Sequence, residues 1–419
     1  MRAAGGRRSG LRRSGLVGLL LVALTGLSGC SGDESVAPPK APRDSSNGRA
    51  AAAQRTLDAL GSALSSRDAG AAASLAAPGA RATLDAMVAN ARSLDLQDIS
   101  LRFVDDQSTL GTDDRETYGA AAWPGTVELT YRIAGWDTQP TRLETRFVFT
   151  GSGGKEQIAG VGGGDSRTPL WLTGPVTRLA SGRAMVISGD PSGQRYLGLA
   201  EQALVDVAKV LPGWHGKLVV EGPASEKQLD AALAAPQDQY ANIAAVTTSV
   251  DGSLVPGSPV HVFLNPRVFD ALGPRGAQVV LSHETTHVAT GATFVQMPTW
   301  LLEGFADYVA LAHAGIPVST AASQILARIR KQGTPDHLPT SADLDPTATG
   351  LGATYEEAWL ATRFLAQLYG EPKLVAFYRA VSAGKTTDQA FHSILGTTEA
   401  AFVRRWRADL NGLVGGVTS

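Results

Sequence analysis

His283-Glu284-Thr285-Thr286-His287, with Glu303 sixteen residues further on inside Trp300-Leu301-Leu302-Glu303-Gly304-Phe305-Ala306-Asp307-Tyr308, is the stretch that decides how the chain reads. A helix turns once in about 3.6 residues, so histidines at i and i+4 leave one face about one turn apart and can reach a single ion. Glu284 is rotated by about 100° from His283, which sets its carboxylate beside that ion. This is the position of a general base that takes a proton from an attacking water. Glu303 is the candidate third ligand. Three protein ligands leave the fourth position of a tetrahedral zinc open, the mark of a catalytic rather than a structural site.

Local signals predict helices for both segments. Pro274 and Gly276 precede the apolar run Ala277-Gln278-Val279-Val280-Leu281-Ser282, and Gly291 is the expected stop. A second helix is expected from Pro298 to near Gly315. In it Asp307 lies four residues beyond Glu303, on the same face, placed to take the free N–H of a ligating histidine. With seven histidines and 39 acidic residues in the chain, H-E-x-x-H arises by chance on the order of once in 200 such chains.

These residues resemble the gluzincin-type zinc metallopeptidases of the MA-like superfamily, in which H-E-x-x-H supplies two ligands and the base and a glutamate on the next helix supplies the third. Carried over, the resemblance implies that His283, His287 and Glu303 bind Zn2+ and that Glu284 activates water. It spans roughly residues 183–410 and is specific only at the two helices. The G-x-M-E-N signature of the aminopeptidase branch is absent, so aminopeptidase activity is not implied.

Tyr355 heads the helical stretch Tyr355-Glu356-Glu357-Ala358-Trp359-Leu360, where similar peptidases often carry a tyrosine. It reads either as a donor to the developing oxyanion or as a helix-start aromatic. His215, His261, His313, His337 and His392 are isolated and read as surface or packed side chains. Val260-His261-Val262-Phe263-Leu264, ended by Asn265-Pro266, reads as a strand: a core strand, or an edge strand that pairs with extended substrate.

The first thirty residues carry Arg2, Arg7, Arg8, Arg12 and Arg13, then an apolar core of twelve residues, 16–27, too short to span a bilayer. Leu27-Ser28-Gly29-Cys30 resembles the lipobox of bacterial lipoproteins, which implies a lipidated Cys30 at the mature N-terminus. Cys30 is the chain's one cysteine, and a lone cysteine in an exported protein has no intramolecular partner. Residues 31–48, rich in Ser, Pro, Gly and charge, read as a flexible tether. The expectation is a membrane-anchored protein with its body on the extracytoplasmic face. Net charge is −2 with 18% charged residues, which gives no field for nucleic acid.

The remaining length predicts two domains. Residues 51–91 place Leu57, Leu60 and Leu64 on one helical stripe, continued by Ala71, Leu75, Leu84 and Met87. Beyond them the period becomes that of strands, at 99–104, 126–133 and 141–150. Helix first and antiparallel sheet after is an α+β pattern that resembles cystatin-like or NTF2-like domains in layout. Trp123, Trp136 and Trp171 read as core or as the lining of a ligand cavity. The expected plan is an N-terminal α+β domain over 49–165, a linker over 166–182, and a zincin-like domain, small sheet plus helical half, over 183–415.

Two functions follow. One is a zinc-dependent peptidase, an endopeptidase, acting on a peptide or protein substrate, with activity lost below about pH 6 as protons compete for the imidazoles. The other is a metal-retaining envelope scaffold whose N-terminal domain binds a partner or ligand. A non-peptide zinc hydrolase or structural zinc domain fits less well, because the base is present and cysteine ligands are lacking.

Overall fold

A computed structural model describes residues 45–416 apart from 107–108, 153, 238 and 346–347. The expected signal segment, Cys30 and the tether as far as residue 44 lie outside the described residues. The chain is an α+β protein with an N-terminal four-stranded antiparallel sheet, a mixed five-stranded sheet and a largely helical C-terminal region.

The stripe at Leu57, Leu60 and Leu64 lies on α1 (Ser45–Ser66), and all three are fully buried. The apolar pattern continues through α2 (Ala69–Ser74) and α3 (Arg81–Ser93), so one expected helical run is broken into three. Asp68 caps α2 by accepting from the Ala71 amide at 2.9 Å, which explains the break. The sheet that follows runs β1 (Leu96–Asp105), β2 (Trp123–Ile133), β3 (Thr141–Ser152) and β4 (Lys155–Val161), each antiparallel to the next. α4 (Thr112–Tyr118) bridges β1 and β2. Trp123 and Trp171 are core residues, while Trp136 is partly buried against the same cluster.

The stretch expected as a linker carries α5 (Leu170–Thr173) and β5 (Thr177–Ser181). β5 pairs antiparallel with β6 (Ala184–Ser188), which runs parallel to β7 (Leu218–Gly222). α6 (Gly193–Val210) makes the crossover from β6 to β7, and α7 (Glu226–Leu233) follows β7. The sheet order is β5-β6-β7-β9-β8, with β8 at Ala245–Ser249 and β9 at Val260–Leu264. β9 is therefore interior, between β7 and β8, and the edge-strand reading of residues 260–264 is corrected: the free edge beside it belongs to β8. His261 and Phe263 are buried on one face and Val262 and Leu264 on the other, which fits that position, since an interior strand buries both faces.

Alternation along these strands shows what each face covers. Met185, Ile187, Val219 and Phe263 join the buried cluster that includes Leu57, Phe147 and Trp171. Val186, Val220, Val262 and Leu264 face the other way, onto Tyr196, Ala200, Leu204, Ala277 and Leu281. The mixed sheet thus lies between the N-terminal layer and two helices, α6 and the one that carries Ala277 and Leu281. Among the described residues no helix is long and apolar enough to cross a membrane.

α8 (Pro266–Phe269) leads to α9 (Pro274–Thr290), which has Pro274 in its first turn. Gly291 ends α9 in the left-handed conformation, φ 65°, with its amide on the His287 and Val288 carbonyls. α10 (Thr299–Leu311) follows Pro298 and stops short of Gly315. Then come α11 (Val318–Ala321), α12 (Ser323–Gln332), α13 (Leu351–Tyr369), α14 (Glu371–Ser382), α15 (Thr387–Ala390) and α16 (Glu399–Gly416). They enclose a third apolar cluster around Phe305, Trp359, Phe377, Phe402 and Trp406. Gly304 sets the α10–α13 crossing: a Cβ there would stand 2.4 Å from the Ala358 carbonyl oxygen and 2.5 Å from Thr362 Oγ1. Only a missing side chain permits that approach.

Candidate metal centre

α9 presents His283 and His287, and α10, packed across it, presents Glu303 and Asp307. His283 Nε2 lies 3.0 Å from His287 Nε2 and 3.2 Å from Glu303 Oε2, and His287 Nε2 lies 3.5 Å from the same oxygen. His283 Nδ1 is 2.7 Å from Asp307 Oδ1. That bond puts the ring proton on Nδ1, since a carboxylate only accepts, and leaves Nε2 as a lone pair. The centre therefore holds electron pairs pointed at one another, an arrangement that needs a cation among them.

The distances fit a divalent metal. Bonds of about 2.0–2.1 Å at tetrahedral angles separate ligand atoms by about 3.3 Å, and the three observed separations bracket that value. His283, His287 and Glu303 form the one group of three or more potential ligands, among the described residues, whose donor atoms could hold an ion. The Glu303 oxygen and the two imidazoles suit zinc by ligand type.

The electrostatics point the same way. Burial disfavours a charged His283, but Asp307 and Glu303 outweigh it and hold this histidine's basicity well above the ordinary value. Burial also opposes ionisation of Glu303, yet His287 and His283 prevail and keep its carboxyl well below the usual range. A cation, whether proton or metal, is what the cluster stabilises.

Glu284 leaves α9 on the side of the mixed sheet and is buried, 8% exposed. Its Oε2 accepts a hydrogen bond from Thr247 Oγ1 on β8 at 2.6 Å. Burial raises its carboxyl above the usual range, with the two imidazoles and Thr247 pulling the other way. Tyr355 sits one turn inside α13, which begins at Leu351 rather than at the tyrosine. Burial, with Glu303, Asp307 and Glu284 nearby, raises its phenol, so Tyr355 is a hydrogen-bond donor at neutral pH.

A cleft of about 470 Å³ opens onto these groups. The edge strand β8 and the residues before it form one wall, through Ile243, Val246 and Thr247; Val279 and Val280 of α9, Leu302 of α10 and Tyr355 of α13 form others. Behind the cleft, α9 is fixed by Ser282 donating to Asp206 at 3.1 Å and by the Tyr378 hydroxyl on Thr290 at 3.2 Å.

The structure thus brings His283, Glu284, His287, Glu303, Asp307 and Tyr355 to one cleft. Two features had no sequence signal. Thr247 is one hydroxyl among several in a polar-rich strand. His261 is fully buried, with Nδ1 2.7 Å from Glu221 Oε1 and Nε2 3.3 Å from Asp137 Oδ1. No protein-family model, no curated protein and no solved structure matches this chain. Its fold and site define an α+β protein with a His/His/Glu group that could hold a metal.

Proposed function

We propose that the chain is a gluzincin-like zinc-dependent endopeptidase, held at the extracytoplasmic face of the membrane through a lipid on Cys30. The observation that carries the catalytic reading is the convergence of three ligand atoms within 3.0–3.5 Å, with a further buried carboxylate, Glu284, beside them in an open cleft. His283, His287 and Glu303 would hold the ion. Zinc there would supply a Lewis acid that acidifies water and polarises a carbonyl.

The chain's own groups carry the rest. Glu284 takes the proton of the attacking water and delivers it to the departing amine nitrogen; burial raises its carboxyl above the usual range, which favours its taking that proton. Tyr355 donates its O–H to the carbonyl oxygen as negative charge gathers there. Asp307 fixes the His283 tautomer. The free edge of β8 offers backbone groups to an extended peptide, and its place on the cleft wall supports a peptide substrate.

The test is metal analysis joined to hydrolysis of end-blocked, internally quenched peptides by the wild type and Glu284→Gln. About one zinc per chain and hydrolysis that disappears in Glu284→Gln are expected. Zinc retained by both proteins with no hydrolysis by either would move the assignment to the metal-retaining scaffold.

A further inference from the structure

Glu284 has three side-chain torsions, and a base with that freedom spends little time aimed at a water. The structure supplies a restraint from outside its own helix. Thr247 Oγ1 lies 2.6 Å from Glu284 Oε2 and 3.2 Å from the Glu284 carbonyl oxygen. Being β-branched, Thr247 has a stiff χ1. Its backbone is fixed in turn by antiparallel pairing with Val262 of the interior strand β9. The hydrogen bond engages Oε2, and Glu284 lines the cleft. The same strand forms the cleft wall, so one element aligns the proposed base and borders the peptide.

We propose that Thr247 is a positioning residue that holds the Glu284 carboxylate in its working orientation through one hydroxyl hydrogen bond. This rests on the peptidase reading above, but its contact can be measured without it.

The variants are Thr247→Val, which keeps shape and β-branching and loses the hydroxyl, and Thr247→Ser, which keeps the hydroxyl. On end-blocked, internally quenched peptides, Thr247→Val is expected to lower kcat by about 10–100-fold with KM within about twofold, the signature of a misaimed group rather than a damaged binding surface. Thr247→Ser is expected to stay within a few-fold of wild type, and zinc content to be unchanged in both.

The second readout uses metal-free protein. The carboxylate infrared band of Glu284, identified by its loss in Glu284→Gln, should shift in Thr247→Val and hold in Thr247→Ser. An unmoved band in Thr247→Val, or wild-type kcat despite a shifted band, overturns the proposal. So does a kcat loss equal in Val and Ser. If the wild type cuts no peptide, the peptidase reading fails and takes the catalytic role of Thr247 with it, while the infrared band still reports whether the contact exists.

Discussion

Two buried histidine–carboxylate clusters lie on the same mixed sheet and its flanking helix, and they solve opposite problems. At His261 one imidazole stands between two carboxylates, Glu221 on Nδ1 and Asp137 on Nε2, and Asp137 Oδ2 also accepts from the Ile133 amide at 2.9 Å. Both ring nitrogens donate, so the proton on the ring supplies the positive charge. At His283 and His287 two Nε2 atoms turn toward each other and toward one carboxylate oxygen. There three potential ligand atoms face one point, and the group could hold a metal ion. The same residue types therefore make a charged staple in one case and a candidate metal site in the other, and the direction of the ring nitrogens distinguishes them.

The sharpest way to break this comparison is to remove a ligand from the second cluster. His287→Ala or Glu303→Ala should reduce zinc from about one per chain to background by metal analysis. Stability in chelator should change less for His287→Ala than for Glu303→Ala, which takes from the buried imidazoles the carboxylate that faces them. Retention of a full zinc equivalent by either variant would mean that the ion sits elsewhere.

His261→Ala should do the reverse. It leaves Asp137 and Glu221 buried without their counter-charge, at a cost of about 3–5 kcal/mol in chemical denaturation, with zinc content unchanged in the folded fraction. The cluster links the turn after β2 to β7 and β9, so the loss should appear as a fall in global stability.

pH should separate the clusters further. Burial works against a charged His261, but hydrogen bonds and charge from Asp137 and Glu221 prevail and push it up to about 9. A basic group raised in the folded state stabilises fully below its unfolded value of about 6.5, and that stabilisation is lost as pH climbs through about 9. Denaturation of the metal-free protein between pH 6 and 10 should therefore show a decline steeper than that of His261→Ala by on the order of 3 kcal/mol. Zinc release runs the other way, toward acid, as protons compete for the ligands.

The smallest effect tests the outer carboxylate. Asp307→Asn should weaken zinc binding by about 10–100-fold in competition with a chelator, leaving the stoichiometry at saturation unchanged. Unaltered affinity would show that the 2.7 Å bond to His283 carries no tuning role.

Much of the metal centre was legible because its grammar is local. Spacing on α9 and α10 named His283, His287, Glu303 and Asp307, and Gly291 and Pro298 marked where the helices change. The α+β layout was legible for the same reason: helical and strand periods are written within ten or so residues. Failures came where pairing between distant segments decides. β4 lies outside the strands expected from period alone, and β5 lies in the stretch expected as a linker. For β9 the sequence leaves core and edge positions both open, because nothing in Val260-His261-Val262-Phe263-Leu264 tells which strand lies beside it, and the interior position is the one found.

The sequence by itself determined that His283 and His287 share one helix face and that Glu303 and Asp307 share another, because i and i+4 geometry needs no tertiary information. Tertiary structure alone decided that β8 forms the sheet edge and that Thr247 meets Glu284 across 37 positions. It alone also set His261 between carboxylates 40 and 124 positions away. Those contacts depend on strand order and layer packing, which arise when faces from remote segments are buried together, and no local period records which remote face that will be.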